Sequence, residues 1–587
     1  MIHGVDDKGT WIDDPDQVKL IILDHFKNQF SSQPQNRPSL EHMFSNRLSR
    51  NDREMLEAEF TNEEIKEAVF SCASDKAPGP DGFNFHFIKS VWSTIEGDIT
   101  NFIKEFHKYG RLVRGINASY ITLVPKKKNP TTLKEYRLVS MVGSLYKILA
   151  KVLANRLRKV IGKVISMTQS AFLEGRQLID SVLALNELVH DLKRRKEMGI
   201  LFKVDFEKAF DSVDWDYLDS MQSSLGFGDK WRGWIKECLT SAFVSILVNG
   251  SPTQEFKMQK GLRQGDPLSP YLFLIAAKGL HALVHEAVKK NLLTGIAVDR
   301  DLSVSHLQFA YDTILLGEAS LKSIRAFKFI LRWFKIISGL KINFSKSTLY
   351  GINIEENWLN MAASTLNSKC GQLPFLYLGL PVGGNPHCLR FWKPVVEKFR
   401  SMLATWKGKL LSFGGCITFL TSGGLGIPNL SIRNSALLGK WWNNFYDAEG
   451  NEKLWKKIIV RKYYDGVSST SISNIASPSL SPFWKDILSI GRDCDRAFGC
   501  FDDGFIRKLG DGSNTRFWKD AWMGSSPLMF SYPRLSCLTL SKDALVAELK
   551  LGNAGGWAFQ WRKPPFDREL DELERLEDSL RNLNLSD

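Results

Sequence analysis

The sequence predicts an α+β protein of more than one domain, and three observations carry that expectation. Apolar residues recur at helical spacing in several long segments; the strongest runs from Gly143 to Val160, with Leu145, Leu149, Val152 and Leu153 on one face. Short apolar runs flank the polar tips at Asn249-Gly250 and within Phe309-Ala310-Tyr311-Asp312, which is the pattern of tight β-hairpins. The chain has 587 residues, more than one hydrophobic core ordinarily serves.

Composition narrows the class. Hydrophobic residues make up 43% of the chain and charged ones 24%, a globular rather than a disordered composition. The net charge of +14 points to a polyanionic partner, either nucleic acid or an anionic membrane surface. The opening Met1-Ile2-His3-Gly4 lacks the basic and apolar regions of a secretory signal, and no apolar run is expected to reach the length of a membrane span. An intracellular protein of nucleus or cytoplasm, without membrane contact, is the expectation. Cys72, Cys238, Cys370, Cys388, Cys416, Cys494, Cys500 and Cys537 show no CxxC or paired His spacing, so they are read as reduced thiols without structural zinc.

Residues 1–60 offer one amphipathic helix, with Val18, Ile21, Ile22 and Phe26 on a face, and no visible chemistry. Thr61-Asn62-Glu63-Glu64 forms a capping box that opens a helix running to about Cys72. Asp75 to Gly82 holds two prolines and two glycines, so it is a loop; its Lys76 is either an incidental turn residue or a phosphate contact. A strand at Tyr120 to Val124 delivers Lys126, Lys127 and Lys128 to its tip and is followed by Tyr136-Arg137, cations suited to a triphosphate or a nucleic-acid backbone. A further helix is expected from Ile179 to Leu192.

The segment Leu201 to Asp214 carries the chemistry. An apolar strand ends at Asp205, where a carboxylate can hold Mg²⁺, and the backbone is expected to turn there into a helix. Asp211 and Asp214 are read as acids of that helix's first turn, favoured by its dipole. Lys260 to Pro270 supplies glycines for close backbone approach and Gln264 as a hydrogen-bonding group, then continues as an apolar helix from Leu268 to Leu283.

Nine segments in order resemble the reverse transcriptase of plant non-LTR retrotransposons of the LINE type: Lys76 to Gly82, Ile121 to Lys126, Tyr136-Arg137, Ser170 to Arg176, Asp205 to Asp211, Gly261 to Pro270, Phe309 to Asp312, Gly339 to Asn343 and Tyr377 to Pro381. The resemblance implies a right-hand polymerase, with a linker over 1–60 left after a missing upstream endonuclease, fingers and palm over 61–385, a partial thumb over 386–422 and a truncated, mostly helical C-terminal region over 423–587. It implies RNA-directed DNA polymerisation on an RNA template and DNA primer, with deoxynucleoside triphosphates and two Mg²⁺ ions. By position, Asp205 and Asp312 are the metal-binding aspartates, and Tyr311 stands where the family has another, so this copy is expected to be impaired. Arg137, Phe210, Gln264 and Gly265 are implied at the nucleotide, Phe210 excluding ribonucleotides by contact with the sugar. Lys76, Lys126, Arg263, Lys341 and Lys407 are implied at the template and primer.

Departures accompany the likeness. Leu138 replaces a proline usual after Tyr-Arg and is expected to loosen the fingers strand. A helical stretch of the thumb is expected to be missing between about Leu420 and Gly423, and Leu570, Leu573, Leu576, Leu580 and Leu583 form a near-heptad terminal helix.

Overall fold

The structure, a computed structural model, describes residues 2–407 apart from Lys8, 33–36, Ser39, Glu41 and His42, together with stretches of 437–581. The chain divides into two compact units, Met1–Gly383 with Lys453–Trp455, and Gly384–Glu452 with Lys456–Asp587. Both large sheets belong to the first.

The first unit opens with a hairpin of β1 (Val5–Asp7) and β2 (Thr10–Ile12) and the helix α1 (Pro15–Phe30), capped by Asp14, whose carboxylate accepts the Gln17 N–H at 2.9 Å. Helices α2 (Arg50–Glu57), α3 (Asn62–Phe70), α4 (Phe85–Ser90) and α5 (Trp92–Tyr109) follow. At α3 the expected capping box is formed, Thr61 and Glu64 exchanging two side chain to backbone bonds of 3.2 Å. Then come β3 (Ala118–Pro125) and β4 (Tyr136–Val142), the long helices α6 (Ser144–Val164) and α7 (Leu178–Arg195), and β5 (Gly199–Val204). The chain does not turn into a helix at Asp205: β6 (Phe206–Glu207) and a single 3₁₀ turn intervene before α8 (Trp215–Ser224) and α9 (Asp229–Thr240).

Next, β7 (Phe243–Val248), β8 (Ser251–Pro252) and β9 (Phe256–Lys257) complete the first sheet, in the order β4-β3-β7-β8 with β9 also on β7. Asn249 and Gly250, at φ 51° and 88°, make the expected two-residue turn. Leu138 pairs regularly with Leu123 and is buried in the core beneath this sheet, so it holds the strand rather than loosening it. That same core contains Val18, Ile22, Phe26 and Phe30 of α1 against Ile121, Leu123, Val244 and Ile246. Residues expected to be a linker therefore pack as part of the first unit, because an amphipathic face needs an apolar partner and the sheet supplies it.

The second sheet has the order β12-β13-β5-β15-β16. After α10 (Ser269–Lys289) and the short pair β10 (Ile296–Ala297) and β11 (Ser303–Val304), its hairpin is β12 (His306–Phe309) and β13 (Asp312–Glu318). Beyond it lie α11 (Leu321–Ser338), β14 (Lys341–Ile342), β15 (Thr348–Ile352), α12 (Glu356–Leu366), β16 (Lys369–Gly371), and the pair β17 (Phe375–Tyr377) and β18 (Leu380–Val382). Helix α10 is long and apolar enough to cross a membrane by length and composition alone, contrary to the expectation that no run reaches that length. Most of it is buried, with Phe273, Ile275, Ala276 and Leu280 in the central core.

In the second unit, a helix spans Leu389–Lys407 with Pro394 inside it, and a separate core gathers Phe517, Trp518, Trp522 and Leu535 with Leu576 and Leu580 of the helix Asp567–Leu580. The proposed thumb gap near Leu420, and Leu583, lie outside the described residues.

Candidate active site

Register brings the two aspartates together. Strand β13 pairs antiparallel with β5, Thr313 opposite Val204, so Asp312 and Asp205 leave neighbouring strands at the same end of the sheet. Asp205 is fixed through its backbone: its N–H donates to Ser347 Oγ at 3.0 Å and its carbonyl accepts the Asn343 N–H at 2.8 Å. The Gly339 to Asn343 segment thus acts as a cradle for the strand tip. The carbonyl of Asp312 accepts the hydroxyl of the buried Tyr377 at 3.5 Å.

Between them, Ala310-Tyr311 makes a two-residue turn with Ala310 at φ 52°, a left-handed conformation uncommon for a residue with a Cβ. Gln169 holds it there. Its Oε1 accepts the Ala310 N–H at 2.9 Å and its Nε2 donates to the Ala310 carbonyl at 3.3 Å, from a side chain that is itself buried. Sequence reading missed Gln169, although it stands immediately before the Ser170 to Arg176 segment.

The carboxyl of Asp205 is held above its ordinary value chiefly by burial, against Lys346 and Lys203; that of Asp312 is raised by burial and by Asp205, against Lys203. A cation between them relieves both. The Tyr311 phenol is raised by burial and by Asp312, so it is neutral at physiological pH and a poor ligand for a hard ion. Among the described residues no three or more His, Cys, Asp or Glu side chains converge as a metal-binding group. The carboxylates of Asp205 and Asp312 are oxygen donors of the kind a hard cation such as Mg²⁺ would take.

A cluster of basic and aromatic side chains adjoins this pair. Phe210 stacks on Phe273 at 4.7 Å and meets the Tyr311 ring edge-on at 6.4 Å. The Gln264 carbonyl accepts the Ser140 N–H at 2.7 Å, tying the loop to β4, which begins beside Arg137. Gly265, at φ 112°, lies so close that a Cβ would stand 2.6 Å from the Ser140 oxygen, and a Cβ on Gly261 would stand 2.6 Å from the Asp211 oxygen. The Lys126 ammonium is lowered by burial and by the nearby charges of Arg137 and Lys346. Lys346, which sequence reading did not single out, is thus placed by its influence on both Lys126 and Asp205.

Asp211 does lie in a first turn, that of the 3₁₀ helix Phe210–Ser212, and the structure adds that it is buried, accepting from Gln264 Nε2 at 3.3 Å and Gln29 Nε2 at 3.1 Å. Burial pushes it up to about 6, against the pull of Lys208. Asp214 does cap α8 as expected, its Oδ1 accepting the Tyr217 N–H at 3.0 Å.

Residues 124–382, which contain both aspartates and this cluster, match the family model described as reverse transcriptase (RNA-dependent DNA polymerase). They form a reverse-transcriptase domain. The chain is 29% identical over 414 residues to the Transposon TX1 uncharacterized 149 kDa protein of Xenopus laevis, covering 69% of this chain and 31% of that protein. It is 26% identical over 299 residues to the Pol polyprotein of retrotransposable element R2DM of Drosophila melanogaster, covering 50% and 26%. An uncharacterized mitochondrial protein of Arabidopsis thaliana is 40% identical over 72 residues, 12% of this chain and 59% of that one. The chain therefore spans under a third of either transposon protein.

The residues implied at template and primer fall into different settings, some of them outside the matched residues 124–382. Lys76 is exposed on a loop anchored where Asp81 accepts the backbone and hydroxyl of Ser144 at the start of α6. Lys126 donates to the Lys134 carbonyl at 3.0 Å, and Lys341 is exposed on β14 opposite Glu207. Arg263 is a correction: its side chain is 4% exposed, pairs with Asp266 at 3.0 Å and lies over the Tyr146 ring at 4.4 Å, so it is a buried strut out of reach of nucleic acid. Lys407 ends a helix of the other unit, and its side chain lies outside the described residues.

Proposed function

We propose that this chain is the RNA-directed DNA polymerase part of a plant LINE-type element, acting in nucleus or cytoplasm and impaired in this copy by Tyr311. The observation that carries the reading is the convergence of Asp205 and Asp312 at one sheet end beside the charges of Lys126, Arg137 and Lys346, with a neutral phenol at the turn between them. Its substrates are an RNA template, a DNA primer and deoxynucleoside triphosphates. Asp205 and Asp312 would hold Mg²⁺, which would supply charge stabilisation for phosphoryl transfer to a primer 3′-hydroxyl. The chain's own cations orient the triphosphate, and the Phe210 ring, backed by Phe273, blocks a 2′-hydroxyl. Gln264 and Gly265 present a side chain and bare backbone to the new base pair.

Primer extension on an RNA template with Mg²⁺, native chain beside Tyr311→Asp, tests this. Reversion is expected to raise the rate by at least about tenfold, the smallest loss typical of disturbing a metal's surroundings. A native chain as fast as the revertant overturns the impairment. If neither extends a primer while both retain RNA, the chain is a non-catalytic nucleic-acid binder, the second reading that Tyr311 favours.

A further inference from the structure

Helix α11 has two unlike faces. Ile324, Phe327, Ile330, Leu331 and Phe334 are buried in the central core. The opposite face is exposed, and across Leu321–Ser338 there are five Lys or Arg and no Asp or Glu. Lys328 is occupied, donating to the Thr365 carbonyl at 2.5 Å. The other cations, Lys322, Arg325, Arg332 and Lys335, are exposed and make no ion pair among the described residues. Between them lie Phe329, 57% exposed, and Trp333, 37% exposed, with ring centroids 5.8 Å apart. Spacings of three and four residues put 322, 325, 329, 332 and 333 in one stripe along the helix. Since the inner face packs on the sheet side, the stripe points away from the strands that carry Asp205 and Asp312.

We infer that this stripe is a second binding site for single-stranded nucleic acid, separate from the polymerase site. Three uncompensated cations in the stripe, Lys322, Arg325 and Arg332, with Lys335 exposed on its flank, repel one another and disfavour an apolar protein partner, whereas a polyphosphate backbone neutralises them and releases counterions. Exposed rings interleaved with those cations are the surface that unpaired bases stack on; paired bases offer no free face. The site does not depend on catalysis and survives if Tyr311 abolishes it.

The test uses the full chain and fluorescein-labelled oligouridine, followed by anisotropy over a range of salt. Arg325→Glu with Arg332→Glu should weaken binding and flatten the salt slope by about 0.7 for each phosphate that is no longer neutralised. Phe329→Ala with Trp333→Ala should weaken binding about tenfold with the slope unchanged, because stacking displaces no counterions. Photocrosslinking with 4-thiouridine RNA should label residues 325–336, and melting curves of both variants should match the native chain. Wild-type affinity and slope in both variants, with no crosslink in α11, overturn the proposal. So does a dimer in light scattering that the aromatic variant dissolves while RNA binding stays unchanged, which assigns the face to a second copy of the chain.

Discussion

At the scale of single residues, burial decides what a charge is for. Asp211 and Asp205 stand six positions apart, yet Asp211 is enclosed and pushed up to about 6, while Asp205, at a strand tip, is only partly shielded. A carboxyl whose folded value exceeds the ordinary 3.8 stabilises the fold at low pH, and that contribution is lost as pH rises from there through about 6. The shift corresponds to about 3 kcal/mol. Thermal unfolding should therefore show stability falling by that order between about pH 4 and about pH 6, and Asp211→Asn should remove the slope. Arg263 gives a second expectation. Arg263→Ala leaves Asp266 buried without its cationic partner, so urea unfolding should register a loss of about 3–5 kcal/mol. Primer-template affinity of the surviving folded protein should be unchanged, as a buried strut requires and a template-binding residue forbids. Asp205, Asp312 and Tyr311 were legible in the sequence because a strand tip is a local feature; Asp211 and Arg263 were not, because their surroundings come from Gln29, Tyr146 and other distant residues.

At the scale of elements, the Ala310-Tyr311 turn depends on a clamp from elsewhere in the chain. Strands β12 and β13 are adjacent in sequence, and their hairpin follows from local pattern. The left-handed Ala310 is held by Gln169, 141 positions away. Gln169→Ala strands both polar groups of Ala310 in a buried turn, at a cost of about 1–3 kcal/mol. Amide exchange at Ala310 should quicken correspondingly, while exchange in β5 stays slow. If the Ala310 amide is equally protected in the variant, the clamp is not what holds the turn.

For the whole molecule, the N-terminal sixty residues change meaning most. Val18, Ile22, Phe26 and Phe30 form part of the core beneath the first sheet, and Gln29 reaches Asp211. Phe26→Ala should cost about 3–5 kcal/mol in equilibrium unfolding. A chain lacking residues 1–31 should expose the apolar underside of that sheet and lose cooperative unfolding; a fully native melt would show that the segment is dispensable.

The sequence by itself determined the helices and hairpins, the carboxylate at the end of β5, the tyrosine at the neighbouring turn and the ordered motifs of a reverse-transcriptase domain. Each of these rests on neighbours within a few residues, where periodicity, capping and turn chemistry act. Only the tertiary structure decided that Arg263 is walled in, that Asp211 is enclosed, that Gln169 grips the hairpin and that the N-terminal helix is core. Burial and pairing at those positions are set by partners from distant segments of the chain, and those partners meet only once the sheets have assembled.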